Sequence, residues 1–345
     1  MKMVLPPLLL LRGLTAASAS ALEADKPHVL MIVIDDLGFD DMGFRMELNG
    51  QEKQIDTKNV DKLAREGVVL DSYYVQCVCS PSRVTFLTGR YPLHHGVNDW
   101  IPPSEAYGMP LNETTIADHF LRAGFRTHAI GKWCCCCCLC CCNRSHHHRC
   151  CSLRVSRDRH AGFYNDASTP TFRGFESFYG FYTGGEDYFT HNAGGYDFRR
   201  DPSLRCHQAN CSQVAWEDKG KYSTIAFAEE AVAVISKHPS DPAHPLFMYL
   251  AFQAVHAPPE VPEYYVPIYG AHIHDHKRAN FAGMLGAMVS AAIVLYLASP
   301  LLQSCGRVPC HVDDDLGILL RGRGVMMTRR MRAWATSRQR WPSRK

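Results

Sequence analysis

The sequence predicts an α/β fold with a mostly parallel central sheet, and three observations carry that expectation. Residues 28–34 (His-Val-Leu-Met-Ile-Val-Ile) form an unbroken apolar, β-branched run, the pattern of a strand buried on both faces. Residues 245–252 repeat that pattern late in the chain. Between them, segments of helical spacing at 59–67, 114–123 and 222–237 alternate with strand-like runs at 68–74 and 127–133. The 345 residues, 46% hydrophobic and 21% charged, are enough for a sizeable core. A net charge of +3 gives no argument for a nucleic-acid partner.

In chain order, residues 1–24 read as a secretory signal: Lys2 supplies charge, 5–14 is apolar apart from Arg12, and 16–24 is rich in small residues. The strand at 28–34 ends in Asp35-Asp36-Leu37-Gly38. Ligands of open α/β sheets gather at the carboxyl ends of strands. Two acids at the margin of a core are costly unless a positive group neutralises them. Paired carboxylates suit a hard divalent cation, Ca²⁺ or Mg²⁺; the plain alternative is Asp as a turn former. The helix at 59–67 has Val60, Leu63 and Ala64 on one face and stops at Gly67. The run at 68–74 leads into Cys79-Ser80-Pro81-Ser82-Arg83 and on to Leu87-Thr88-Gly89-Arg90. Pro81 suits the first turn of a helix, and Ser80 or Ser82 can cap its amides. Cys79 then sits at the positive end of a helix with Arg83 one turn on, which favours an anion and a reactive thiolate. A buried or disulfide-bonded cysteine beside an ordinary helix is the alternative.

The helix at 114–123 is closed by Gly124, and residues 127–133 run to a second strand end at Lys132-Trp133. Ten of the 16 cysteines then crowd between Cys134 and Cys151, beside His146, His147 and His148. Zinc sites space their ligands in pairs around a folded unit, and homopolymeric runs do not encode one tetrahedron. Residues 134–159 are therefore read as a low-complexity insertion. Cys206 and Cys211 lie outside it and can close a small disulfide loop in an oxidising compartment. The strand at 245–252 delivers Gln253-Ala254-Val255-His256-Ala257-Pro258 at its carboxyl end. Residues 281–303 carry no charge and are long enough to cross a bilayer, but Gly283, Gly286 and Pro300 weaken that reading and it is not favoured. Residues 289–345 form an atypical tail. Its Asp313-Asp314-Asp315 run has no recognisable strand-end context and is not assigned as a ligand.

The Cys79–Arg83 and Leu87–Arg90 stretch resembles the active-site signature of type I sulfatases. Gly124-Phe125-Arg126-Thr127 through Gly131-Lys132-Trp133 resembles the second signature of that family. Arg173-Gly174-Phe175-Glu176, Asp187-Tyr188-Phe189-Thr190-His191 and Tyr222-Ser223-Thr224 look most like the arylsulfatase B, I and J group. The resemblance covers roughly 27–133 and 160–288, which makes these the two parts of the sulfatase domain (25–133 and 160–288). It implies an alkaline-phosphatase-like sandwich whose C-terminal part is missing or aberrant here. It also implies that a formylglycine-generating enzyme oxidises Cys79, and that the hydrated aldehyde attacks the sulfur of an aryl sulfate or a sulfated sugar of the glycosaminoglycan type. Carried over residue by residue, the catalytic set is Cys79, Arg83, Lys132, His160 and His256. The metal set is Asp35, Asp36 and Cys79, with Ca²⁺ expected and Mg²⁺ as the alternative. A lysosomal or secreted destination follows, in keeping with sequons at Asn112, Asn143 and Asn210. The chain departs from the family twice. The insertion separates Lys132 from His160, and no Asp-Asn-Gly tripeptide, expected to complete the metal ligands, occurs in it. The rival reading is an impaired relative acting as a secreted or membrane-attached binding protein, or the product of a mispredicted or truncated gene. A phosphate-ester hydrolase of the same fold is disfavoured, since such a relative would carry Ser or Thr in place of Cys79.

Overall fold

The computed structural model describes residues 26–101, 107–133, 165–239, 241, 243–298, 310–313 and 317–321. The expected signal segment, the insertion, His160, the Asn143 sequon and most of the 289–345 tail lie outside them.

The apolar run at the start folds as β1 (Val29–Val33). It is followed by α1 (Gly43–Leu48) and α2 (Lys58–Glu66), the latter stopping at Gly67 as its spacing predicts. The strand expected over 68–74 is only β2 (Val68–Val69), because Leu70, Tyr73 and Tyr74 turn toward solvent. Next come α3 (Cys79–Thr88), ended by Gly89 in the left-handed conformation, and α4 (Pro92–His95). A Thr115/Asp118 capping box starts α5 (Ile116–Arg122), which leads to β3 (Arg126–Lys132). The chain then forms β4 (Ser177–Phe181), β5 (Arg199–Asp201), β6 (Gln213–Val214), α6 (Ser223–Lys237) and β7 (Leu246–Ala251). It continues through α7 (Val266–Gly270), α8 (His276–Ala298), β8 (Cys310–Asp313) and β9 (Gly317–Arg321).

The strands make one mixed sheet in the order β2-β8-β9-β1-β7-β3-β4-β5-β6. Its centre is parallel: β7 lies between β1 and β3, and β4 follows β3. Val33 and Gly131 both pair with Ala251, so the carboxyl ends of β1, β7 and β3 are level. One face packs Leu30, Ile32, Met248 and Leu250 against residues of α2, α6 and α8; the other packs Val33, Phe247 and Tyr249 against Val84, Leu87 and Ala117 of α3 and α5. All six residues of β7 are buried, and each large apolar side chain there contributes about 1.5–3 kcal/mol. Gly131, at φ 96°, is required at its position: a Cβ would come within 2.0 Å of the Ala251 carbonyl oxygen.

The charge-free stretch from 281 proves to belong to the core. Ala282, Met284, Leu285, Met288 and Val289 of α8 are buried in the cluster on one sheet face. Gly283 and Gly286 let the helix approach closely, since a Cβ would meet Val261 at 2.6 Å and Tyr269 at 2.4 Å. A helix apolar around much of its girth is one that is covered on most sides. No helix among the described residues is long and apolar enough to cross a membrane.

Three further features bear on the expectations. Trp133 Nε1 donates to the Ser168 carbonyl (3.0 Å), which brings the two margins of the 134–164 segment together. Cys206 and Cys211 are disulfide-bonded, the pairing their spacing allowed. Asp313, the first residue of the acidic run, has the strand-end context that the sequence did not reveal. β8 closes on Asp313, and β9 pairs antiparallel with both β8 and β1, so Asp313 reaches the same sheet edge as the end of β1.

Candidate active site

The carboxyl edge of the three central strands carries the charged groups. Past the end of β1 the main chain keeps pairing: Asp35 N donates to Ala254 O (3.0 Å) and Val255 N to Asp35 O (2.7 Å). This ladder sets Asp35 and Asp36 beside the turn that follows β7. Asp36 adopts a positive φ of 59°, which swings its carboxylate away from the core while that of Asp35 stays inside.

Asp35 is 1% exposed, and two cations neutralise it. Lys132, the last residue of β3, donates its Nζ hydrogen to Asp35 Oδ2. Arg83 Nη2 lies 3.3 Å from Asp35 Oδ1. Both cations are wholly buried. Burial alone would raise the Asp35 pKa, but Lys132 and then Arg83 outweigh it and hold the carboxyl below its ordinary value. The neutralising partner that the acid pair demanded is thus supplied by the chain itself. Arg83 Nη1 also donates to the Lys132 carbonyl and to Tyr249 Oη, each at 3.1 Å, which ties α3 to β3 and β7. Asp36 behaves oppositely. Desolvation at the site floor and then the charge of Asp35 raise its pKa. Its side chain is 63% exposed, so solvent screens much of that repulsion.

Cys79 is the first residue of α3, 9% exposed, with Arg83 one turn later as predicted. The expected serine caps do not form. Ser82 Oγ instead donates back to the carbonyls of Gln76 (2.9 Å) and Val78 (2.8 Å), and Ser80 Oγ accepts from Ile101 N at 3.4 Å. Helix α3 thus has no side-chain N-cap; Ser82 braces the loop that leads into Cys79, and Ser80 holds the main chain at Ile101.

His256 stands on the third strand end. Its Nδ1 lies 2.6 Å from the Ala257 carbonyl, which can only accept, so Nδ1 carries the hydrogen and Nε2 faces Asp36 Oδ2 at 3.7 Å. The structure therefore gathers Asp35, Asp36, Cys79, Arg83, Lys132 and His256 at one edge. His160 lies outside the described residues. Sequence reasoning missed Tyr249, Gln253, Tyr188 and Glu186, which hold this edge together. Gln253 lies in the quoted strand-end segment, but its partner, 67 residues away, leaves no local signal.

The arrangement combines a pair of buried cations on one carboxylate, a cysteine at a helix start and an imidazole. Comparisons with known proteins agree. The sulfatase family model matches residues 27–135 and 155–296. Arylsulfatase J of Mus musculus is 34% identical over 77% of this chain and 38% of its own length. Arylsulfatase G of Rattus norvegicus is 30% identical over 68% of this chain and 42% of its own. The chain thus spans about two fifths of the length of these relatives. Among solved structures, Ps i-CgsB in complex with k-i-k-neocarrahexaose superposes with a TM-score of 0.62 at 23% identity, covering 86% of this chain and 66% of that one. A chain from work on glycosaminoglycan metabolism by Bacteroides thetaiotaomicron gives 0.63 at 15% identity, covering 87% and 68%. These likenesses establish the fold as that of the sulfatases. With the family match spanning most of the sequence and the motif residues gathered at one sheet edge, the chain belongs to the sulfatase family.

Proposed function

We propose that this chain is a sulfuric ester hydrolase that cleaves aryl or sugar sulfates with Cys79, converted to formylglycine, as its nucleophile. The observation that carries the proposal is the convergence of Cys79, Arg83, Lys132 and His256 on the carboxyl edge of β1, β7 and β3. Position 79 fits the modified residue: it opens a helix beside two buried cations, where a negative group is favoured. Formylglycine would supply, as its hydrate, the oxygen that attacks sulfur. Lys132 and Arg83 favour the anionic ester and the charge that develops as the ester bond breaks. His256, its Nδ1 anchored, presents Nε2; in the imidazolium form, facing the Asp36 carboxylate 3.7 Å away, Nε2 carries the second proton and hands it to the departing alcohol. A sulfated sugar is the favoured substrate, in keeping with the neocarrahexaose held by the structurally similar Ps i-CgsB.

The divalent cation expected from the resemblance enters none of these steps. Hard divalent ions take about six to eight oxygen ligands. Asp35 is already bound by Lys132 and Arg83, and among the described residues no three His, Cys, Asp or Glu side chains converge to hold a metal. The described donors, Asp35 and Asp36, do not fit such an ion by themselves.

A secretory route, lysosomal or secreted, belongs to the same proposal, together with a formylglycine-generating enzyme as partner. It is supported by the signal-like residues 1–24, the Cys206–Cys211 disulfide and the exposed sequon residues Asn112 and Asn210. The test is turnover of a generic aryl sulfate by the full chain, with Cys79→Ala as control and peptide mass spectrometry of residue 79. The expected result is turnover that the substitution abolishes while leaving the fold intact. Formylglycine at 79 without turnover above the control would favour the binding-protein reading, to which the saturation of Asp35 by two cations already lends weight.

A further inference from the structure

The turn carrying His256 is gripped at three points by residues 185–188. Gln253 Nε2 donates to the Glu186 carbonyl (2.6 Å), and its Oε1 accepts from Glu186 N (3.0 Å). Tyr188 Oη donates to the His256 carbonyl at 2.7 Å. Gly185 lies against the imidazole: a Cβ there would stand 3.3 Å from Cε1 and 3.4 Å from Nδ1 of His256.

The side chain of Glu186 runs the other way, into the interior. Its Oε1 is 3.1 Å from His191 Nδ1, and both side chains are fully buried. His191 Nε2 lies 3.0 Å from the Asp218 carbonyl oxygen. A carbonyl only accepts, so Nε2 bears the hydrogen and Nδ1 of the neutral ring offers a lone pair. The Glu186–His191 bond then needs its hydrogen from the carboxyl group. Glu186 Oε2 has no hydrogen-bond partner among the described residues, a poor setting for a charged oxygen. Asp197 and Asp187 are the neighbouring acids. Asp218, beyond the ring, has Oδ2 bonded by Tyr179 Oη at 2.6 Å and Oδ1 3.6 Å from Lys221 Nζ.

We propose that Glu186 is a buried neutral carboxylic acid whose hydrogen bond to His191 fixes residues 185–188, making it, through Gln253, a positioning residue for His256. The role of His256 itself rests on the hydrolase reading above. The electrostatics agree with the geometry: burial, then Asp197 and Asp187, push the Glu186 carboxyl far up, and burial pushes His191 down. The folded-state pKa of Glu186 is raised, so its contribution to stability is complete below the ordinary value of 4.5 and is lost as pH climbs from there toward the folded value.

Glu186→Gln tests this directly, because the amide can donate to His191 Nδ1 without a charge and the main-chain clamp on Gln253 is untouched. Its unfolding midpoint should match wild type near about pH 4 and exceed it near about pH 7. A variant less stable than wild type at neutral pH, with the deficit shrinking in acid, would show an ionised Glu186–imidazolium pair and overturn the proposal. The positioning half is read from the His256 Cε1–H resonance, which should stay in place in Glu186→Gln and move in Gln253→Ala. Tyr188→Phe, which removes one bond only, should move it too and serves if Gln253→Ala fails to fold. With an aryl sulfate, Gln253→Ala should lower kcat about tenfold or more at little-changed KM. An unmoved resonance in both clamp variants sinks the positioning role. If wild type shows no turnover, the hydrolase reading fails by itself, and the melting and resonance data still decide the state and role of Glu186.

Discussion

At the carboxyl edge of β1, β7 and β3, Asp35, Lys132 and Arg83 share a site in which none is more than 1% exposed. At the amino edge of the same strands the arrangement is reversed. There the ion pair Arg126–Glu176 (2.9 Å) is exposed by 51% and 24%, and the more sheltered polar groups are uncharged histidines. His28 Nδ1 accepts from Leu246 N at 2.9 Å, His238 meets the His28 ring edge-on, and His128 Nδ1 lies 2.7 Å from Ser177 Oγ. Burial lowers the pKa of His128 to about 4. One end of the sheet thus holds desolvated charge in matched sets, and the other holds polar groups that fold in neutral form. A sheet gains nothing structural from burying three charges, because apolar residues would serve as well. Concentrating them at one edge marks that edge as the part shaped by chemistry.

Breaking the balance of charge at the carboxyl edge should have the largest effect. Asp35→Asn leaves Lys132 and Arg83 buried without their counter-charge, and a loss of about 3–5 kcal/mol in denaturant unfolding is expected. A loss below about 1 kcal/mol would mean that the two cations find other partners, and the contrast between edges would collapse. The amino edge should instead answer to acid. His128 titrates at about 4 when folded and 6.5 otherwise, so the unfolded chain takes up its proton first as pH falls. Stability should drop between those two values by about 2–3 kcal/mol, with a slope that approaches about 1.4 kcal/mol per pH unit only midway between them, and His128→Gln should remove that drop from the melting profile. The smallest effect belongs to the exposed pair: Glu176→Gln should cost less than about 1 kcal/mol and progressively less in high salt.

Much of this edge was legible in the sequence. Strand ends follow from apolar runs that stop, so Asp35, Lys132 and His256 could be placed at carboxyl ends before any neighbour was known. Cys79 and Arg83 follow from helix spacing. The pairing was not legible: nothing local tells Asp35 that Lys132 lies beside it, because strand order is decided by packing over the whole chain. The serine caps failed for the same reason. Ser82 had a choice between helix amides and loop carbonyls, and the fold around Gln76 and Val78 made it. Residues 281–291 could not be placed from sequence because an apolar stretch looks alike whether lipid or a sheet face covers it, even with the membrane reading disfavoured; the deciding partners, Val261 and Tyr269, precede it in the chain.

The placing of β7 between β1 and β3 also governs how the molecule is made. The middle strand is the last of the three to leave the ribosome. Until it arrives, β1 and β3 have no shared neighbour, and the gap it must fill spans about 10 Å, two strand spacings. A chain stopped before residue 246 lacks the strand between those of Asp35 and Lys132, so it has no scaffold to hold that pair as the folded protein does. With β7 in place, Tyr249 gives Arg83 its hydroxyl partner and Ala251 pairs with the ends of both flanking strands, so the charged edge can be assembled only from a chain that extends past residue 251.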